Sequence, residues 1–142
     1  MTDTALAAAL LSEVLSSDQA LKDTMARHLP KGMELSHFSV LNHLYSAPER
    51  SPAQLARNFH VTKGAMTNTL KRLEAAGHIH IRPDWDDARR KMVSISPAGR
   101  QARDIALNQL DPVFESVMED LGPERIRQAL RDLRAFRASL NG

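Results

Sequence analysis

The 142-residue chain contains no cysteine, which removes disulfides, thiol redox sensing and cysteine-ligated zinc together. It has no run of about 18 uncharged apolar residues, so no segment is expected to span a membrane. The opening residues MTDTALAAALL are apolar, but no basic segment precedes them and Glu13 soon interrupts them. They read as an amphipathic helix, not a signal peptide. Internal repeats and low-complexity tracts are missing. So are a nucleophile elbow, a phosphate loop and any histidine with an evident acid partner. The expectation is a cytoplasmic protein that is not an enzyme and needs no cofactor.

What is present is an uneven charge distribution. The net charge is only +2, but residues 50–103 hold 11 Lys and Arg against 4 Asp and Glu, while the remainder holds 8 against 13. A basic middle between acidic flanks points to a polyanion-binding module carried on other elements.

Apolar spacing predicts a first helix from Thr4 to about Arg27, with Leu6, Leu10, Val14, Leu21 and Met25 on one face. The sequence PKG at 30–32 stops it. A second helix, capped by Ser36, would bury Phe38, Val40, Leu41 and Leu44 and end before Pro48. In SPAQLARNF (51–59), Ser51, Pro52 and Gln54 form a capping box with proline at the first helical position. Leu55, Ala56 and Phe59 are its candidate core residues. Only a turn fits between Asn58 and Val61, and Thr62 can cap the next helix. Two short helices joined by a tight turn make a helix-turn-helix candidate.

The fourth helix carries an unusual face. Lys63, Gly64, Thr67, Asn68 and Lys71 cover a stripe of roughly 140° at 100° per residue, opposite Met66, Thr69, Leu70 and Leu73. No carboxylate interrupts the stripe before Glu74. Lysine neutralises phosphate, and Thr and Asn donate to phosphates or read base edges. Gly64 costs about 1 kcal/mol of helix propensity relative to alanine, which close approach of the backbone to a groove wall would justify. Gly77 then ends the helix. HIHIRP (78–83) and KMVSIS (91–96) alternate as strands around DWDDARR, a hairpin carrying Arg89 and Arg90 near its tip. A basic hairpin after a recognition helix is a wing, and its arginines suit a narrow minor groove. Asp87 is expected to hold Arg89 in place, with the adjacent Arg90 pointing elsewhere, towards phosphate or solvent.

Ser96-Pro97 starts a long helix to about residue 121, with a kink expected at Pro112. Gly122-Pro123 breaks the chain before a final helix with Ile126, Leu130, Leu133, Phe136 and Leu140 near a heptad seam. Apolar stripes on the first and the last two helices imply an interface with a second copy.

Metal sites are not expected. Asp84, Asp86 and Asp87 lack the glycine and terminal glutamate of a calcium loop. His37 and His43 are six residues apart and do not share a helix face. His78 and His80 share a strand face without a third ligand. Charged or packed surface is the simpler reading of each.

With these features assembled, the chain resembles the MarR family of winged helix-turn-helix transcription regulators. LSHFSVLNHL looks like the family's second helix, and SPAQLARNFHVTKGAMTNTLKRLEAAGHIHIR is similar to its helix-turn-helix. DDAR followed by SISPAG resembles the wing and the opening of the fifth helix. The resemblance implies a mainly α fold with a small β-hairpin wing and long N- and C-terminal dimerisation helices. It divides the chain into 1–32, a DNA-binding module at 33–98, and 99–142. It also implies a homodimer on a pseudo-palindromic double-stranded DNA operator, released in many members by a small, often phenolic, ligand bound between the dimer helices and the winged module. By position, Lys63, Gly64, Thr67, Asn68 and Lys71 face the major groove and Arg89 the minor groove, oriented by Asp87. Thr62 and Arg90 complete the expected DNA-binding set. Trp85 stands where proline is frequent and Ala88 where a basic residue is common. Peroxide sensing needs a cysteine and is excluded. Some relatives of the family bind zinc, and only for that reason is a site including His28, Glu34 and His37 weighed. The competing reading is a nucleoid or RNA-binding dimer without sequence choice, distinguished by steep salt dependence and little sequence preference.

Overall fold

The computed structural model describes residues 2–142. Seven elements follow one another: α1 (Asp3–His28), α2 (Leu35–Ser46), α3 (Pro52–Asn58), α4 (Lys63–Ala75), β1 (Ile79–Pro83), β2 (Lys91–Ile95) and α5 (Pro97–Leu140). They form two compact units, one running to Gln109 and the other Leu110–Gly142. No helix among the described residues is long and apolar enough to cross a membrane.

In the first unit the core is built by α2, α3, α4 and the hairpin. Leu41, Leu44, Leu55 and Val93 are fully buried, and Met66, Leu70 and Leu73 of α4 are nearly so. Each helix presents the apolar positions its periodicity dictates. Capping chemistry sets the starts. The Ser51 hydroxyl accepts from the Gln54 amide at 3.2 Å, and the Gln54 side chain accepts from the Ser51 amide at 2.8 Å. Ser36 is not the cap of α2. The helix begins two residues earlier, after Glu34, whose N–H donates to Nδ1 of the buried His37 at 3.0 Å. A histidine at the third position thus does what glutamine does in the usual box.

The turn from α3 to α4 closes tightly. The Val61 amide donates to the Ala56 carbonyl at 3.0 Å, and His60 adopts φ 53°. This is a left-handed helix stop without glycine.

β1 and β2 pair antiparallel, Ile79 opposite Ile95 and Pro83 opposite Lys91. Arg50, between α2 and α3, bridges Val93 through two backbone hydrogen bonds of 3.0 and 2.8 Å. The hairpin is therefore fastened to the entrance of α3.

Its exit is fastened as well. The Ser96 hydroxyl donates to the Gly77 carbonyl at 2.6 Å and accepts from the Gly99 amide at 3.0 Å. A Cβ on Gly99 would lie 2.0 Å from the His78 carbonyl oxygen. Only glycine fits there.

α1 buries none of its residues in this chain. Leu6, Leu10, Leu11, Leu15 and Leu21 all remain exposed.

In α5 the backbone stays helical through Pro112. The kink expected at Pro112 is thus missing, whereas the break expected at Gly122-Pro123 is present, Gly122 having φ 78° and ψ 159°. Within the second unit Phe114, Val117, Leu121, Leu130, Leu133 and Leu140 are exposed.

Candidate nucleic-acid interface

α4 starts when the Thr62 hydroxyl accepts from the Ala65 amide at 3.0 Å. That capping bond orients the first turn, leaving Lys63, Gly64, Thr67, Asn68 and Lys71 on the solvent face while Met66, Leu70 and Leu73 enter the core. No ion pair among the described residues involves Lys63 or Lys71. Nothing lies within 4 Å of where a Gly64 Cβ would stand, so no neighbour within the chain calls for glycine at that position.

The wing loop is ordered by its own polar groups. Asp84 donates its amide to the Arg90 carbonyl at 3.0 Å, and the Arg90 amide donates to the Asp87 carbonyl at 2.9 Å. Asp87 Oδ1 accepts from both the amide and Nε of Arg89, each at 3.1 Å. These bonds hold the Asp87 carboxyl below the usual carboxylate range, the Arg89 side chain contributing most and its backbone amide next. The Arg89 side chain nevertheless remains 91% exposed. It is positioned without being buried.

α3, α4 and the loop enclose a cleft of about 540 Å³. Arg57, Lys63, Arg89, Arg90 and Lys91 line it together with Thr67, and no carboxylate does. Two of these cations, Arg57 and Lys91, were not singled out by sequence. Their signal lay only in the basic bias of residues 50–103, because nothing local shows that the end of α3 and the start of β2 converge. Arg90 differs from expectation by lining the same cleft as Arg89. Side chains alternate only along extended backbone, and both arginines lie in a turn. Gly64, Asn68 and Lys71 lie on the exposed face of α4 outside the cleft lining.

Five converging cations, of which only Arg89 is paired with a carboxylate among the described residues, make a surface of positive potential that phosphate can neutralise. No cluster of three metal-ligating side chains occurs among the described residues.

A second cavity, of about 340 Å³, lies where the loop between α1 and α2, α2, the end of α4 and the first turns of α5 meet. Met33, Leu73, Ala76 and Ile105 give it apolar walls, and Arg72, Lys31, His37 and His78 provide polar groups. Burial pushes the His37 imidazole below its ordinary value near 6.5, and Arg72 and His78 act in the same direction against the opposing charge of Glu34.

Comparison with known proteins agrees with this geometry. Residues 31–90 match the MarR family. The uncharacterized HTH-type transcriptional regulator YdgJ of Bacillus subtilis is 24% identical over 110 residues, 78% of this chain and 67% of that protein. The crystal structure of the transcriptional regulator BldR from Sulfolobus solfataricus aligns with a TM-score of 0.82 at 25% identity, covering 98% of this chain and 99% of BldR. A mutant MarR from E. coli, crystallised with operator DNA, aligns at 0.77 with 20% identity over 89% of this chain and 92% of its own. Bordetella bronchiseptica BpsR, whose DNA binding is regulated by 6-hydroxynicotinic acid, aligns at 0.76 with 17% identity over 90% and 98%. The architecture shared with BldR is the winged helix-turn-helix, and both YdgJ and BldR are transcriptional regulators.

Proposed function

We propose that the chain is a DNA-binding transcriptional regulator of the MarR family, which the match of residues 31–90 supports, and that it is a cytoplasmic repressor acting as a homodimer on a pseudo-palindromic operator. The observation that carries this reading is the cleft in which Arg57, Lys63, Arg89, Arg90 and Lys91 converge with no carboxylate. α4 enters the major groove through Lys63, Gly64, Thr67, Asn68 and Lys71, with Thr62 at its capped start. Arg89, held by Asp87, enters the minor groove, and Arg90 meets the adjacent backbone. Two reading modules on one palindrome require two chains. The apolar residues left exposed on α1 and on the second unit support that assembly, with 1–32 and 99–142 as dimerisation segments around a reading module at 33–98.

The cavity between the α1–α2 loop, α4 and α5 is the proposed effector site. Its apolar walls accept a small aromatic ring, and Arg72 and Lys31 suit a carboxylate or phenolate on it. The regulation of BpsR by 6-hydroxynicotinic acid supports an aromatic acid of this kind.

Selection of bound duplexes from a random pool tests the reading, followed by titration of the winner against its scrambled control. Preference for the winner by three or more decades is expected of a specific regulator, whereas equal affinities would mark a non-selective binder. Asn68→Ala should relax preference at one position of each half-site by about 1–3 kcal/mol. Lys71→Ala should weaken all sequences similarly and lower the salt slope by roughly one. If neither substitution changes affinity or preference, the α4 face is only solvated.

A further inference from the structure

Trp85, the single tryptophan of the chain, stands 83% exposed on the wing loop. An isolated exposed hydrophobe needs no explanation, but this one is held. The Arg82 guanidinium carbon lies 4.6 Å from the indole centroid. Arg82 is itself fixed, with Nη2 at 2.7 and 2.9 Å from the two Glu49 carboxylate oxygens and Nη1 donating to the Pro83 carbonyl at 2.7 Å. The loop around the indole is closed by the Asp84–Arg90 backbone bond and by the Asp86 amide, which donates to Asp84 Oδ1 at 3.1 Å. One ring face is thus braced by a cation that Glu49 already neutralises, leaving the other face and the Nε1–H open to solvent.

Charge alone does not explain how such a tip would hold DNA. Residues 84–90 contain three aspartates and two arginines, and Asp87 occupies one of those arginines. Attraction at the tip needs a contribution that does not depend on net charge. An indole has one: a flat apolar surface that packs on the apolar face of a sugar, and a single N–H donor for a phosphate oxygen.

The geometry points to Trp85 as a DNA-contacting residue, its free face against deoxyribose at the edge of the minor groove and its N–H donating to a backbone phosphate. This contact rests on the DNA-binding reading above. It adds to that reading a wing contact that salt does not screen.

The test uses the full-length protein, a fluorescently labelled selected duplex and the intrinsic emission of Trp85. Anisotropy of the label reports binding, and acrylamide quenching of Trp85 reports whether DNA covers the ring. Duplex should alter the emission and reduce quencher access. Trp85→Ala should weaken binding roughly tenfold while leaving the salt slope unchanged, unlike an arginine removal, which lowers it by about one. Trp85→Phe should recover part of the loss, since the ring returns without its donor. Binding by anisotropy with unchanged emission and quencher access overturns the contact and leaves the DNA-binding reading standing. Protection that follows protein concentration without DNA overturns it too, by placing the indole in a protein interface. If no duplex binds at all, the DNA-binding reading fails and the contact fails with it.

Discussion

Two surfaces of this protein are exposed for opposite reasons. On α4 the exposed residues are Lys63, Gly64, Thr67, Asn68 and Lys71, and the same helix buries Met66, Leu70 and Leu73. That helix has finished its packing, and its outer face is free to be selected for what it touches. On α1 and along Leu110–Gly142 the exposed residues include Leu6, Leu15, Leu130 and Leu133. These helices have not finished packing within one chain. The first kind of surface predicts loss of binding without loss of stability when it is mutated. The second predicts a change in the state of association.

The hardest way to break the comparison is to damage the finished part. Gly99→Ala places a methyl 2.0 Å from the His78 carbonyl oxygen, so the junction between hairpin and α5 must shift. The expected loss is about 3 kcal/mol, at the upper end for overpacking, read from the urea midpoint. An unchanged midpoint would mean that this junction is not rigid.

Next in size is the unfinished part. The parent should show by light scattering about twice the chain mass of 15.8 kDa. Leu133→Glu, on a half-exposed position, should return it to a single-chain mass at micromolar concentration, since an unpaired charge buried in an interface costs several kcal/mol. A parent that is a stable monomer would remove the distinction between the two surfaces.

Smaller effects sharpen the binding side. Arg89→Ala should lower affinity for a selected duplex tenfold or more, about 1.4 kcal/mol, with thermal stability hardly changed. Asp87→Ala should show a milder version, because the arginine survives without its holder. An Arg89→Ala protein that binds like the parent would confine recognition to α4.

The smallest effect concerns pH. His37 has a depressed pKa in the folded chain, mainly through burial, and its Nδ1 must be unprotonated to accept from Glu34 N–H. Its contribution is present above the ordinary value near 6.5 and is lost as pH falls through the lower folded value. Arg72 and His78 face it and reinforce the shift, and Glu34 opposes it. His37→Gln keeps an acceptor at the capping position without titrating there. The parent should therefore lose more stability than the variant between pH 7.5 and 5.5, compared by urea midpoints. Equal losses would show that the ring does not sense protons.

Much of the fold was legible because its signals are local. Ser51 with Gln54, Thr62, and the glycines at 77 and 122 mark helix boundaries through bonds or dihedrals that span only a few residues. Core positions follow from helical and strand periods. What escaped was either non-local or a substitution of chemical type. The Arg50–Val93 bridge joins residues 43 positions apart through backbone alone, so side-chain pattern carries no trace of it. The start of α2 was misplaced because histidine took the role normally read from glutamine. Pro112 was tolerated since the φ its ring imposes is helical and its missing N–H removes only one helix bond, so the kink expected there did not form. At the interface, the stripe on α4 was visible as periodicity. The membership of Arg57 and Lys91 required three separate elements to be placed together.

The wing ladder has a further consequence, for the way such a protein can change. β2 is locked in register from two sides, by β1 and by Arg50, so inserting one residue there would turn Val93 out of the core. The ladder ends at Pro83 opposite Lys91, and beyond it the seven residues of the loop carry no core side chain. Lengthening a loop raises its closure entropy only slowly, about 0.6 kcal/mol per doubling. Insertions are thus penalised in the strands, where the core depends on register, and cost the chain's closure little at the tip. The reach of the loop can be retuned residue by residue, on a hinge that stays fixed.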